Sequence, residues 1–179
     1  MRLNIEDALK RWLKGYSKLV ILGIGNPLRG DDSLGLEIVK RLRGKLPKNV
    51  TVIEGGLTPE NFIGKIRKIK PSHVLLVDAA HFGGEPGEIR LIRLKQISGV
   101  TISTHSISLS VLAELMRGET NAKIMLLGIE PGNLNLGAEI SPEIEEAIEW
   151  SVNVITNIIV GNFTVHSGDN GRFKVAGKP

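Results

Sequence analysis

The chain of 179 residues contains no cysteine. That absence excludes disulfide scaffolds, thiolate metal sites and cysteine nucleophiles. Aromatic residues make up only 4% of the chain, too few to stack on nucleic-acid bases or sugar rings. No apolar run approaches the ~18 residues that a membrane-spanning helix needs. The amino-terminal stretch MRLNIEDALKRWLKGYSK is too charged to hold the apolar centre of a signal peptide. A net charge of +4 is scattered rather than concentrated. In VKRLRGKLPK and IGKIRKIK the basic residues alternate with apolar ones, as on a solvated helix face, not along a nucleic-acid-binding stripe. The expectation is a cytoplasmic protein with no nucleic-acid partner and no membrane insertion.

What is present suits a single packed domain. The chain is 41% hydrophobic, and a chain of this length buries roughly 70% of its unfolded surface on folding. Residues 4–14 read as an amphipathic helix. Compact apolar runs at 18–23 (KLVILG), 50–54 (VTVIE), 73–78 (HVLLVD) and 123–129 (KIMLLGI) read as strands. Glu88–Leu94 is a less hydrophobic strand candidate, suited to a place near an edge. Helical spacing appears at 34–44, after Thr58-Pro59-Glu60, at 108–117 and from Pro142 to Ile159. Thr58, Pro59 and Glu60 supply an N-cap, a first-turn proline and a first-turn acid. Continuous apolar strands alternating with amphipathic helices predict an α/β fold in three layers. Its mostly parallel, twisted sheet has about five strands, with helices on both faces. Residues 1–160 form the domain. From Gly161 to Pro179 periodicity is lost, and the segment reads as an extended tail of uncertain order.

The first strand opens into Gly23-Ile24-Gly25-Asn26-Pro27-Leu28-Arg29-Gly30-Asp31-Asp32-Ser33. A glycine turn between strand and helix invites a nucleotide-binding reading. Leu28, however, takes the place of the third fingerprint glycine, and Pro27 removes a backbone N–H. Two acids stand at the helix start, where they repel phosphate and attract a cation. No nucleotide or flavin is expected. Asp31, Asp32 and Ser33 are all candidate caps, and one cap needs only one of them.

Asp78 closes the strand HVLLVD, at the end where ligands bind in doubly wound sheets. His105 directly precedes a helix, so a right-handed crossover carries it to the same rim. His73 opens a strand and belongs at the opposite end. His81 follows Asp78, and His166 lies in the tail. Two acids and an imidazole on one rim would leave metal coordination positions open. There is no His-Glu-x-x-His zinc helix and no Gly-x-Ser-x-Gly elbow.

The blocks GIGNPLRGDDSLG, IEGGLTPEN, LLVDAAHFGGEPGEI, STHSISLSVL and LLGIEPGNLNLG, in that order over about residues 18–158, resemble the hydrogenase maturation proteases. The likeness is greatest to the endopeptidases that process the large subunit of energy-converting nickel–iron hydrogenases. The resemblance implies cleavage of a short C-terminal extension from the large-subunit precursor after nickel insertion. It implies that Asp32, Asp78 and His105 are the catalytic, metal-contacting residues, with the nickel supplied by the substrate. It leaves Asp31 the capping role. Ser33 departs from the family pattern, where many relatives carry glycine. Glu54 replaces the aspartate that often precedes the Gly-Gly pair. Nickel serves either as a Lewis acid or as an anchor that reports its own presence while an acid acts as base. The competing reading is a non-proteolytic nickel- and precursor-binding chaperone on the same scaffold, which would release an unshortened subunit.

Overall fold

A computed structural model describes residues 4–93, 95–96, 108–161 and 173–175. In chain order the regular elements are α1 (Ile5–Leu13), β1 (Leu19–Ile24), α2 (Leu34–Leu42), β2 (Val50–Gly56) and α3 (Ile63–Ile69). There follow β3 (His73–Ala79), β4 (Ile89–Arg93), α4 (Leu109–Thr120), β5 (Lys123–Ile129), α5 (Pro142–Val160) and β6 (Phe173–Val175). Short 3-10 turns at Gly30–Ser33 and Pro59–Phe62 lead into α2 and α3.

The strands form one sheet in the order β2-β1-β3-β5-β4-β6. Strands β2, β1, β3 and β5 run parallel, whereas β4 is antiparallel to β5. Apolar side chains alternate across the sheet to make two cores. Leu75, Val77, Leu127 and Ile129 pack under α1, α2 and α5. Val74, Leu76, Ala80, Ile124 and Leu126 pack under α3 and α4. The three-layer α/β class is as expected.

The weaker apolar content of β4 matches its position one strand from the edge. Within the stretch read as a tail, Phe173–Val175 pairs in parallel with β4, Ile89 opposite Phe173 and Leu91 opposite Val175. At least those residues join the sheet, which therefore has six strands. Among the described residues, no helix is long and apolar enough to cross a membrane.

Two local expectations fail. Thr58 stands at the N-cap position, with Pro59 just inside, but its side chain makes no capping hydrogen bond. The chain enters α3 through a 3-10 turn instead. At α2 the N-cap position is Ser33, which likewise caps nothing; its hydroxyl donates to the Gly30 carbonyl at 2.7 Å.

Close packing seats α2 on the sheet. A Cβ on Gly35 would collide with the carbonyl oxygens of Ile24 and Val77. Only glycine lets the first turn of α2 rest on the split between β1 and β3. This contact fixes the height of the acid-bearing turn immediately before it.

Candidate functional site

Strand order reverses at β1, with β2 on one side and β3 on the other. The carboxyl ends of β1 and β3 therefore border the topological switch point, where open α/β sheets bind ligands. Gly23 pairs with Val77, so Asp78 lies one residue beyond the last β1–β3 pair. By alternation, Asp78 shares the face of Val74, Leu76 and Ala80, which α3 and α4 cover.

Asp32 comes from the 3-10 turn after β1. Its carbonyl accepts from Asn26 N–H at 3.1 Å, closing the loop back onto its own start. A Cβ on Gly25 (φ 147°) would collide with that same carbonyl. The turn also touches β3. Asp32 and Asp78 are both fully buried. One acid from the turn after β1 and one closing β3, both buried at this end of the sheet, are oxygen donors of the kind a divalent cation takes. His105 lies outside the described residues, as does His166. The described chain resumes at Ser108, whose hydroxyl caps α4 by accepting from Val111 N–H.

Asp31 does not cap α2. Its carboxylate crosses to the β5–α5 loop. Oδ2 accepts from the backbone N–H groups of Gly132 (2.8 Å) and Asn133 (2.6 Å) and from the Ser141 hydroxyl (2.8 Å). Oδ1 accepts from Ser141 N–H at 2.7 Å. The Asp31 N–H in turn donates to the Asn133 carbonyl at 3.0 Å. The adjacent acids thus differ in placement: Asp31 ties a second loop to the turn, and Asp32 lies at the switch point.

Sequence reasoning missed Glu130. This buried acid follows β5 as Asp78 closes β3. The same signal, an acid at the carboxyl end of an apolar strand, would have found it among the many helix-face glutamates. Its carboxylate accepts from Phe82 N–H (2.8 Å) and Gly84 N–H (3.0 Å) and meets His81 Nδ1 at 2.9 Å. Burial pushes its pKa up, but the Phe82, His81 and Gly84 donors outweigh that and hold it below the usual glutamate value. An ionised Glu130 only accepts, so Nδ1 carries the proton. With Nδ1–H so placed, Nε2 is the ring nitrogen that points away from Glu130. The His81 side chain is 41% exposed, so this oriented imidazole stands on the rim three residues beyond Asp78. Glu54, the family departure, pairs with Arg43 at 2.6 Å on the α2 side of β2.

His73 provides a contrast at the opposite end of the strands. It opens β3 as expected, meets Ser72 Oγ at 2.9 Å and packs edge-on against Trp12. Burial, and then the Lys123 ammonium, hold its pKa below the usual histidine value. In the unfolded chain the ring binds a proton near pH 6.5; in the fold it resists one. Its contribution to stability is therefore full above about pH 6.5 and shrinks as pH falls toward the depressed folded pKa. His73→Phe is expected to flatten the acid-side fall of stability in that window. Paired denaturant titrations at pH 7 and pH 5.5 measure this, and identical pH slopes in both proteins would contradict it.

Comparisons with known proteins show the family and the fold. The model of the hydrogenase maturation protease family, HycI type, matches residues 36–158. The matched stretch includes Asp78 and begins just after Asp32. The hydrogenase 3 maturation protease of Escherichia coli is 34% identical over 131 residues, covering 73% of this chain and 83% of that protein. The crystal structure of a nickel–iron hydrogenase maturation protease, HycI, from Thermococcus kodakarensis superposes with a TM-score of 0.79 at 36% identity, covering 86% of this chain and 99% of that one. The hydrogenase maturating endopeptidase HybD from E. coli superposes with a TM-score of 0.66 at 26% identity, covering 77% and 89%.

Proposed function

Because this chain belongs to the hydrogenase maturation protease family, we propose that it removes a short C-terminal extension from the nickel-loaded large-subunit precursor of a nickel–iron hydrogenase. Asp32, Asp78 and His105 meet the nickel that the substrate carries. The observation supporting this reading is the pair of fully buried carboxylates, Asp32 and Asp78, at the β1/β3 switch point.

Carboxylate and imidazole donors without thiolates hold divalent metals only modestly, and the affinity order does not select nickel over copper. The ion therefore belongs to the substrate, whose own ligands supply affinity and selectivity. The enzyme completes the coordination and so reads whether the metal has been loaded. Hydrolysis adds one water across the scissile amide: hydroxide goes to the carbonyl carbon and a proton to the leaving nitrogen. The bound ion either polarises that carbonyl or holds the chain in register while a side-chain base takes the water's proton.

The test is incubation of the full chain with nickel-loaded and nickel-free precursor, followed by mass analysis. Loss of the extension only from the loaded precursor is expected. Equal cleavage of both would remove the nickel gate. An intact loaded precursor would overturn the proteolytic reading and favour the chaperone.

A further inference from the structure

Two leucines stand in the open where turn residues are usually polar. Leu28 is 65% exposed and Leu136 is 73% exposed. Leu28 lies in the loop after β1 and Leu136 in the loop after β5. A lone exposed leucine needs no explanation, but these two are joined. The N–H of Gly137, next to Leu136, donates to the Leu28 carbonyl at 2.8 Å. Asn26 Oδ1 accepts from Leu28 N–H at 3.0 Å, and Arg29 N–H donates to the Asn26 carbonyl. The four hydrogen bonds to the Asp31 carboxylate fasten the second loop to the turn that follows Leu28. Gly30 leaves no room for a Cβ against Asn133 and Ala138. The apolar side chains are thus presented on a braced backbone, which lowers the entropy cost of binding. Because β1, β3 and β5 run parallel, both leucine-bearing loops leave the same carboxyl end of the sheet that Asp78 closes.

We propose that Leu28 and Leu136 form an apolar landing platform for the folded hydrogenase large-subunit precursor, engaging nonpolar side chains beside the segment to be cut. This rests on the proposed function and adds its contact surface. A protease must take a polypeptide to its site, and these loops stand at the end of the sheet where Asp32 and Asp78 lie. Exposed leucines on braced loops act as anchors when a protein partner covers them. Specificity for a folded precursor over a short peptide follows, because a peptide reaching only the acids leaves the leucines uncovered.

The test uses the full chain, Leu28→Ser/Leu136→Ser, and the conservative Leu28→Met/Leu136→Met. Nickel-loaded precursor binding is followed by calorimetry and cleavage by mass analysis. Each buried leucine contributes about tenfold in affinity. The serine variant is expected to raise Kd and KM by about a hundredfold. The loss appears in KM rather than kcat, and the methionine variant stays within about threefold of the parent. Thermal midpoints should match, because both side chains are exposed.

Unchanged Kd and KM in the serine variant, with the parent still cutting, would overturn the platform and leave the proteolytic function standing. A parent that binds and a serine variant that does not, with no cleavage by either, would support the platform and overturn the function. Loss of self-association in the serine variant, with precursor affinity intact, would overturn the platform in favour of a second copy of this chain.

Discussion

Asp31→Ala is expected to lower unfolding free energy by about 4 kcal/mol. The carboxylate accepts three backbone N–H groups and one hydroxyl from a single loop. Removing it strands donors that have no other assigned partner. Bonds to a charged acceptor are worth about 1.5–3 kcal/mol, and the four are discounted to about 1 kcal/mol each because Asn133 and Ser141 are half-buried and Gly132 is exposed, so water reaches part of what is stranded. For a chain of this size that corresponds to a drop of roughly 8–16 °C in melting temperature. Asp31→Asn preserves the shape and one acceptor oxygen but turns an amide NH2 toward N–H donors. About half of the loss is expected. Differential scanning calorimetry and urea unfolding measure both variants. A melting temperature within a degree or two of the parent in Asp31→Ala would show that the β5–α5 loop is held by other contacts. Precursor affinity should fall as well, because the freed loop carries Leu136.

The double role of Asp31-Asp32 marks how far the sequence could be read. Periodicity located each helix and strand of the core to within a few residues, because apolar alternation at period 2 or 3.6 is a local property. The β5 run Lys123–Ile129 and the α5 start at Pro142 were legible on that basis. Acids at the ends of apolar strands were legible too, since the fold class alone sends strand carboxyl ends to the ligand crevice. Hydrogen bonds between residues about a hundred positions apart were not legible. Asp31 reads as a cap because capping is the commonest local use of an aspartate before a helix. Its partners, Gly132, Asn133 and Ser141, become neighbours only once β5 lies beside β3. Glu130 stood within that same strand-end signal, but its hold on the Phe82–Gly84 backbone shows only once that loop is folded over it. The three-residue β6 has too little sequence to show a period, and its pairing depends on where β4 leaves a free edge.

Asp32→Asn and Asp78→Asn are each expected to reduce cleavage of nickel-loaded precursor by at least a thousandfold while the protein stays folded. Asparagine matches aspartate in volume, so the buried positions remain filled. What is lost is a negative charge at the switch point, where two carboxylates would face the substrate's cation. An amide oxygen is a weaker donor to a divalent ion than a carboxylate. It also cannot take a proton from water near neutral pH, so the loss follows whether the acid acts as ligand or as base. The two roles separate in binding. A ligand role lowers affinity for loaded precursor toward the level of nickel-free precursor, whereas a base role leaves affinity intact and stops only the cut. Calorimetric titration with both precursor forms, beside single-turnover cleavage, distinguishes them. Parent-like cleavage by either variant would remove that residue from the site. Cleavage by both would leave the buried acid pair a purely structural feature, and the proposed nickel contact would lose its support.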